Sequence, residues 1–271
     1  MMGELLSLGS QGSTLDMLLF VPAIVTALFT FTSGVLLLST GRAISAHAYM
    51  GRRATPEEYL RREIERLRTV IASISVAMIS IGLHAFLDIY ISYRLEAAAQ
   101  AAYPQLVMAK WLSLASLTLA AVLVVWALLL IVDKPGLRAP LLAYSALAML
   151  ASTYILLAQE PSPRSFSLSS AVSSIAVAVP FFLASGSLLF MGGMKSGITG
   201  FKVIGAASIL VGAMNIFYPL VDLATMAHTS LWYIFGGAIP AVLFLAGSLI
   251  LMRSRDWIHA IIYLGLTGDL S

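Results

Sequence analysis

Residues 57–93 read EEYLRREIERLRTVIASISVAMISIGLHAFLDIYISY, and the change of character inside them decides the fold. Up to Arg68 acids and arginines crowd the stretch; beyond it, from Thr69 to Tyr93, Asp88 is the one formal charge. A helix needs about 20 mostly apolar residues to cross a hydrocarbon core of about 30 Å. The run at 70–93 meets that length, and so do the runs at 15–38, 108–132, 137–158, 170–191, 203–225 and 231–252. These runs are continuous rather than alternating, so helices and not barrel strands must satisfy the backbone in lipid. Composition agrees: 59% of the 271 residues are hydrophobic and 11% are charged. A water-soluble domain carries about 25% charged residues, so this chain lacks the polar side chains to cover a soluble surface. The expected fold is all-α and integral to the membrane, a bundle of seven transmembrane helices forming a single domain over residues 1–271. The first run is too long for a signal-peptide core and no Lys or Arg precedes it, so it is expected to remain in the mature protein.

Charge placement orients the bundle. The connection between the first two runs holds Arg42, Arg52, Arg53, Arg61, Arg62, Arg66 and Arg68, and the same side receives Lys134, Arg138, Lys195, Lys202, Arg253 and Arg255. Only Arg94, Lys110 and Arg164 fall on the other side. The positive-inside rule then places the N-terminus outside, the C-terminus in the cytoplasm and the protein in the cell membrane as a multi-pass chain. Thr55-Pro56-Glu57-Glu58 is a helix start, with Thr as cap and Pro in the first turn. A cytoplasmic amphipathic helix is therefore expected at about 56–68, its stripe formed by Tyr59, Leu60, Ile64 and Leu67. The stretch 255–271 carries a second, weaker apolar face.

The runs also suggest an internal duplication. Arg68 and Asp88 are spaced as Lys202 and Asp222 are, and Trp111 and Lys134 as Trp232 and Arg255 are. The first and fifth runs each contain Ser-Gly, at residues 33–34 and 185–186. Helices one to three would repeat as five to seven in the same orientation, with helix four as the inverting linker. This 3+1+3 parallel plan is similar to that of the SWEET-type sugar carriers, in architecture alone. The proline–glutamine motif of that family is not reproduced in corresponding helices; Pro104-Gln105 occurs once, ahead of the third run, where a loop is expected. A rhodopsin would need a lysine deep in the last run, which has none.

Ionisable residues inside a spanning helix are costly and mark candidate sites. His84 and Asp88 lie one turn apart on one face of the second helix. Asn215, the only asparagine, shares the sixth helix with Tyr218 and Asp222. These five residues are the expected solute- or ion-binding set, gathered on an outward-facing polar vestibule with His228 and Lys110 nearby. Pro219 and Pro240 fall beside it and free helix carbonyls. Two further readings stay open for His84 and Asp88: a metal-binding pair, or a satisfied intrahelical hydrogen bond. Haem b would need a second histidine at the depth of His84, and His228 is too shallow by about 10 Å.

The absence of cysteine excludes disulfides, iron–sulfur clusters and thiolate zinc, and no catalytic motif is present. No phosphate loop forms around Gly192-Gly193, because no strand precedes it and no Gly-Lys-Ser/Thr follows. The leading expectation is a non-enzymatic membrane protein that binds or transports a small solute or ion. The alternative is an accessory transmembrane subunit of a larger complex, such as a respiratory one, contacting haem b or quinone at His84. Expected partners are membrane lipid, other membrane subunits or further copies of the chain, and no nucleic acid. Scarce asparagine and cysteine also fit a thermophilic source.

Overall fold

A computed structural model describes residues 21–40, 57–97, 103–131, 135–158, 163–225 and 237–253. Its helices are α1 (Val21–Thr40), α2 (Glu57–Ala97), α3 (Tyr103–Ile131), α4 (Arg138–Ala158), α5 (Pro163–Ser173), α6 (Val179–Ser196), α7 (Thr199–Thr225) and α8 (Ile239–Arg253). A π-helical turn, Ser174–Ala178, joins α5 to α6 in one rod. No strand occurs among the described residues. Among the described residues six helical spans are long and apolar enough to cross a membrane, with the α5–α6 rod counted once. The chain thus has the make-up of a multi-pass α-helical membrane protein. The 15 residues of α8 reach only about 22 Å at 1.5 Å per residue; the rest of the run expected at 231–252 lies mostly outside the described residues.

Burial follows the membrane pattern. On α4 the buried residues are Ser145, Ala148, Ser152 and Leu156, three or four apart on one narrow face. The other faces of α4 expose Leu147, Leu150, Tyr154 and Leu157 at 64–73%, the apolar surface of a membrane-embedded helix. Inside, α2 packs on α3, α6 on α7, and α7 on α8. Their shared core includes Met78, Ala120, Val124, Phe182, Ile204 and Phe244. Serine and threonine hydroxyls within these helices mostly donate to a carbonyl three or four residues back, as Ser75, Ser152, Ser208 and Ser248 do. That keeps them satisfied where no water reaches.

Helix α2 is continuous, so the charged turns of 57–68 run straight into the apolar stretch without a break. Two of the cations at that end brace the bundle. Arg66 Nε donates to the Leu130 carbonyl in the last turn of α3, the negative end of that helix. The Arg138 guanidinium lies over the Trp126 ring, 5.2 Å from its centroid.

Two helix pairs meet through the same glycine contact. A Cβ at Gly34 of α1 would fall 2.7 Å from Ser75 O and 3.1 Å from Ile79 N of α2. A Cβ at Gly186 of α6 would fall 2.8 Å from Gly205 O and 2.6 Å from Ile209 N of α7. Further along, a Cβ at Gly82 would meet Phe31 N at 3.1 Å, and one at Gly212 would meet Leu183 N at 2.9 Å. Glycine is required at these crossings because backbone meets backbone there. The spacing of the participating residues is identical in the two pairs.

The π turn has a local cause and a remote remedy. Pro180 has no N–H, so it cannot bond the carbonyl four residues back, that of Ala176. Tyr144 Oη, from α4, donates to Ala176 O at 2.6 Å instead. This accounts for a hydroxyl on the otherwise lipid-facing side of α4. Tyr144→Phe removes this hydrogen bond and is expected to destabilise the fold by about 1 kcal/mol. Denaturant titration in detergent checks this, with Tyr154→Phe as the matched exposed control.

Candidate functional site

The middle of α2 and the start of α3 build the polar centre of the bundle. His84 and Asp88 sit one turn apart on α2, and Lys110 and Ser113, three residues apart, share a face of α3. Because α2 and α3 pack along their length, the four side chains meet. Ser113 Oγ donates to Asp88 Oδ1 at 2.7 Å, and Lys110 Nζ donates to the same oxygen at 3.2 Å. Lys110 is 6% exposed, and this carboxylate is its ion-pair partner.

The bonding of His84 fixes its tautomer. Nδ1 lies 3.1 Å from Ser113 O and 2.7 Å from Ser113 Oγ. A carbonyl oxygen only accepts, and the Ser113 hydroxyl proton is already directed at Asp88. In the neutral ring the proton therefore sits on Nδ1. The Nε2 lone pair then faces Asp88 Oδ2 across 3.6 Å. That separation exceeds the 2.7–3.2 Å of a hydrogen bond, so the direct intrahelical bond weighed from the sequence is not made. Ser113 bridges ring and carboxylate, and the facing atoms Nε2 and Oδ2 are both left as acceptors.

Those two residues open onto a cavity of about 100 Å³, walled by α1, α2, α3, α6, α7 and the start of α8. Thr26 and Thr30 of α1, Phe182 of α6, Asn215 of α7 and Pro240 and Phe244 of α8 line it with them. A single water needs roughly 10–15 Å³ of such space, so the cavity admits a few waters or a solute of a few heavy atoms. Asn215 Nδ2 donates to Val211 O at 2.8 Å, which fixes the orientation of the amide.

Of the five residues expected from the sequence, the structure brings His84, Asp88 and Asn215 to one cavity. Tyr218 and Asp222 belong to α7, whose helix runs to Thr225, but their side chains lie outside the described residues, as does all of His228. Lys110, expected merely near the vestibule, is an ion-pair partner of Asp88. Ser113 was not foreseen. Among the described residues no group of three His, Cys, Asp or Glu could hold a metal. The cavity is also smaller than the roughly 300–1,000 Å³ of a drug-sized ligand pocket.

Fold and site together define a class: a multi-pass helical membrane protein with a His–Asp–Ser–Lys cluster on a small internal cavity. The chain matches no protein-family profile, none of the curated proteins and no solved structure.

Proposed function

We propose that this is a seven-span protein of the cell membrane, N-terminus outside, that binds or transports a small polar solute or ion in the cavity beside His84 and Asp88. One observation carries the reading: among the described residues, His84, Asp88 and Asn215, from two helices, bring to the lining of one cavity acceptor atoms that no protein donor engages. A small polar cavity of this kind suits water or a small polar solute that supplies the missing donors.

The matching glycine contacts support the 3+1+3 duplication. They align Phe31 and Gly34 with Leu183 and Gly186, and Ser75, Ile79 and Gly82 with Gly205, Ile209 and Gly212. In that register Thr30 matches Phe182, Ile81 matches Val211 and Ala85 matches Asn215, and all six line the cavity. The cavity would thus lie between equivalent helices, where a carrier built from repeats holds its substrate. The register differs by one helical turn from the one read off the charges: Asp88 falls opposite Tyr218, not Asp222.

The chain has no cysteine, so a single introduced thiol is a clean reporter. Ala85→Cys, on the cavity wall, is expected to react in intact cells with a small membrane-impermeant thiol reagent added outside. Ser152→Cys, fully buried between helices, should stay unlabelled. An Ala85→Cys thiol that is inert from outside yet labelled in inverted vesicles would overturn the outward-facing arrangement.

A further inference from the structure

We propose that the occupant is a small protonated amine, of the size of ammonium or methylammonium. The inference rests on the solute-binding reading above and adds the chemical class. It follows from which hydrogen-bonding atoms on the cavity wall are already engaged. Thr26 Oγ1 donates to Pro22 O at 2.8 Å, and Thr30 Oγ1 to Thr26 O at 2.5 Å. His84 directs its N–H at Ser113, and Asn215 directs one N–H at Val211 O. Among the described residues the side-chain donors of the wall are thus taken, save the second N–H of Asn215. The lone pairs remain: Asp88 Oδ2, His84 Nε2, Asn215 Oδ1 and Thr26 Oγ1. A wall of acceptors selects a ligand made of donors.

Two further features narrow the class. The buried rings of Phe182 and Phe244 line the cavity, and aromatic rings attract alkylammonium ions. An imidazole nitrogen is a poor partner for sodium or potassium, which prefer oxygen, but a good acceptor for N–H. Lys110 already shows the chemistry, since its own alkylammonium docks on Asp88 Oδ1 and leaves Oδ2 for the ligand. It also offsets the carboxylate charge, which keeps binding weak enough for release.

The test measures thermal unfolding of the full chain in detergent against chloride salts of ammonium, methylammonium, sodium and potassium, with glycerol and acetamide as neutral solutes. A ligand that binds only the folded state raises Tm in a saturable way. Methylammonium is expected to do so, with affinity about 10- to 100-fold weaker in Asp88→Asn, as for loss of a charged hydrogen bond. Asn215→Leu should also weaken it, and serves if Asp88→Asn does not fold. Lys110→Met should tighten binding about tenfold, because a buried like charge is removed. Equal stabilisation by sodium, or weaker amine binding in Lys110→Met, would overturn the amine class. Saturable stabilisation by glycerol or acetamide alone, lost in Asn215→Leu, would overturn the class while leaving a solute site. No response to any solute, together with an unreactive Ala85→Cys, would overturn both.

Discussion

Asp88→Ala is expected to destabilise the protein by about 3 kcal/mol, more than any other single side-chain truncation at the site. Removing one partner of a buried ion pair strands the other charge, at a cost of about 3–5 kcal/mol. The lower end applies because the Asp88 side chain is 28% exposed toward the cavity. The lysine side chain is 7% exposed, so it has no comparable access to water once the carboxylate is gone. The reverse change is therefore milder. Lys110→Met leaves Asp88 with Ser113 as a donor and with cavity water, and should cost about 1 kcal/mol. The double variant Asp88→Ala/Lys110→Met should recover most of the loss, because neither charge remains to be stranded. Folded fraction against denaturant in detergent, for wild type, both singles and the double, measures the coupling. Costs that simply add would show that Lys110 draws its stability from elsewhere.

This asymmetry bears on how the site was legible. Spacing alone puts His84 and Asp88 on one face, and an apolar helix with a single acid marks that acid as unusual. Nothing in spacing marks Ser113. Serines in apolar helices normally bond their own backbone, as Ser116, Ser145 and Ser152 do here. Ser113 instead points its hydroxyl at another helix. The one hint was Lys110, a cation three residues earlier in a spanning segment, which needs an acid on whatever helix its face meets. That partner depends on how far α3 slides along α2, and apolar runs do not encode such a slide.

The same physics separates the two registers in which the proposed duplication can be aligned. Cations such as Arg68 and Lys202 align with the membrane surface by their own solvation, whatever the packing of their helices. Glycines align with backbone contacts. The two criteria differ by one turn, and the glycines report the packing. Likewise Pro180 was visible in the sequence, but the π turn before it is held by Tyr144 from another helix. The apolar runs that correspond to the six described spans were legible, because length and the lack of charge mark them.

Gly186→Val is expected to abolish folding, and Gly186→Ala and Gly34→Ala each to destabilise by about 2–3 kcal/mol. The reason is the identity of the opposing atoms. The added carbon at Gly186 would lie 2.6 Å from Ile209 N and 2.8 Å from Gly205 O, and that at Gly34 would lie 2.7 Å from Ser75 O. Backbone atoms cannot swing aside as a side chain does, so the helices must separate and lose contact along their crossing. Gly205→Ala meets Phe190 N at 2.5 Å and Gly186 O at 2.8 Å. Because it forces apart the same two helices, the double Gly186→Ala/Gly205→Ala should cost less than the sum of its parts. Gly192→Ala is the internal control. Its Cβ meets nothing within 4 Å, and alanine should gain up to about 1 kcal/mol there by helix propensity. Comparing Gly34→Ala with Gly186→Ala by denaturant titration tests the duplication through its energetics. If α1–α2 and α6–α7 are copies of one unit, the two costs should agree within about 1 kcal/mol. A tolerated Gly34→Ala beside a crippling Gly186→Ala would mean that matched spacing conceals unlike contacts, and the cavity would then lie between unrelated helices.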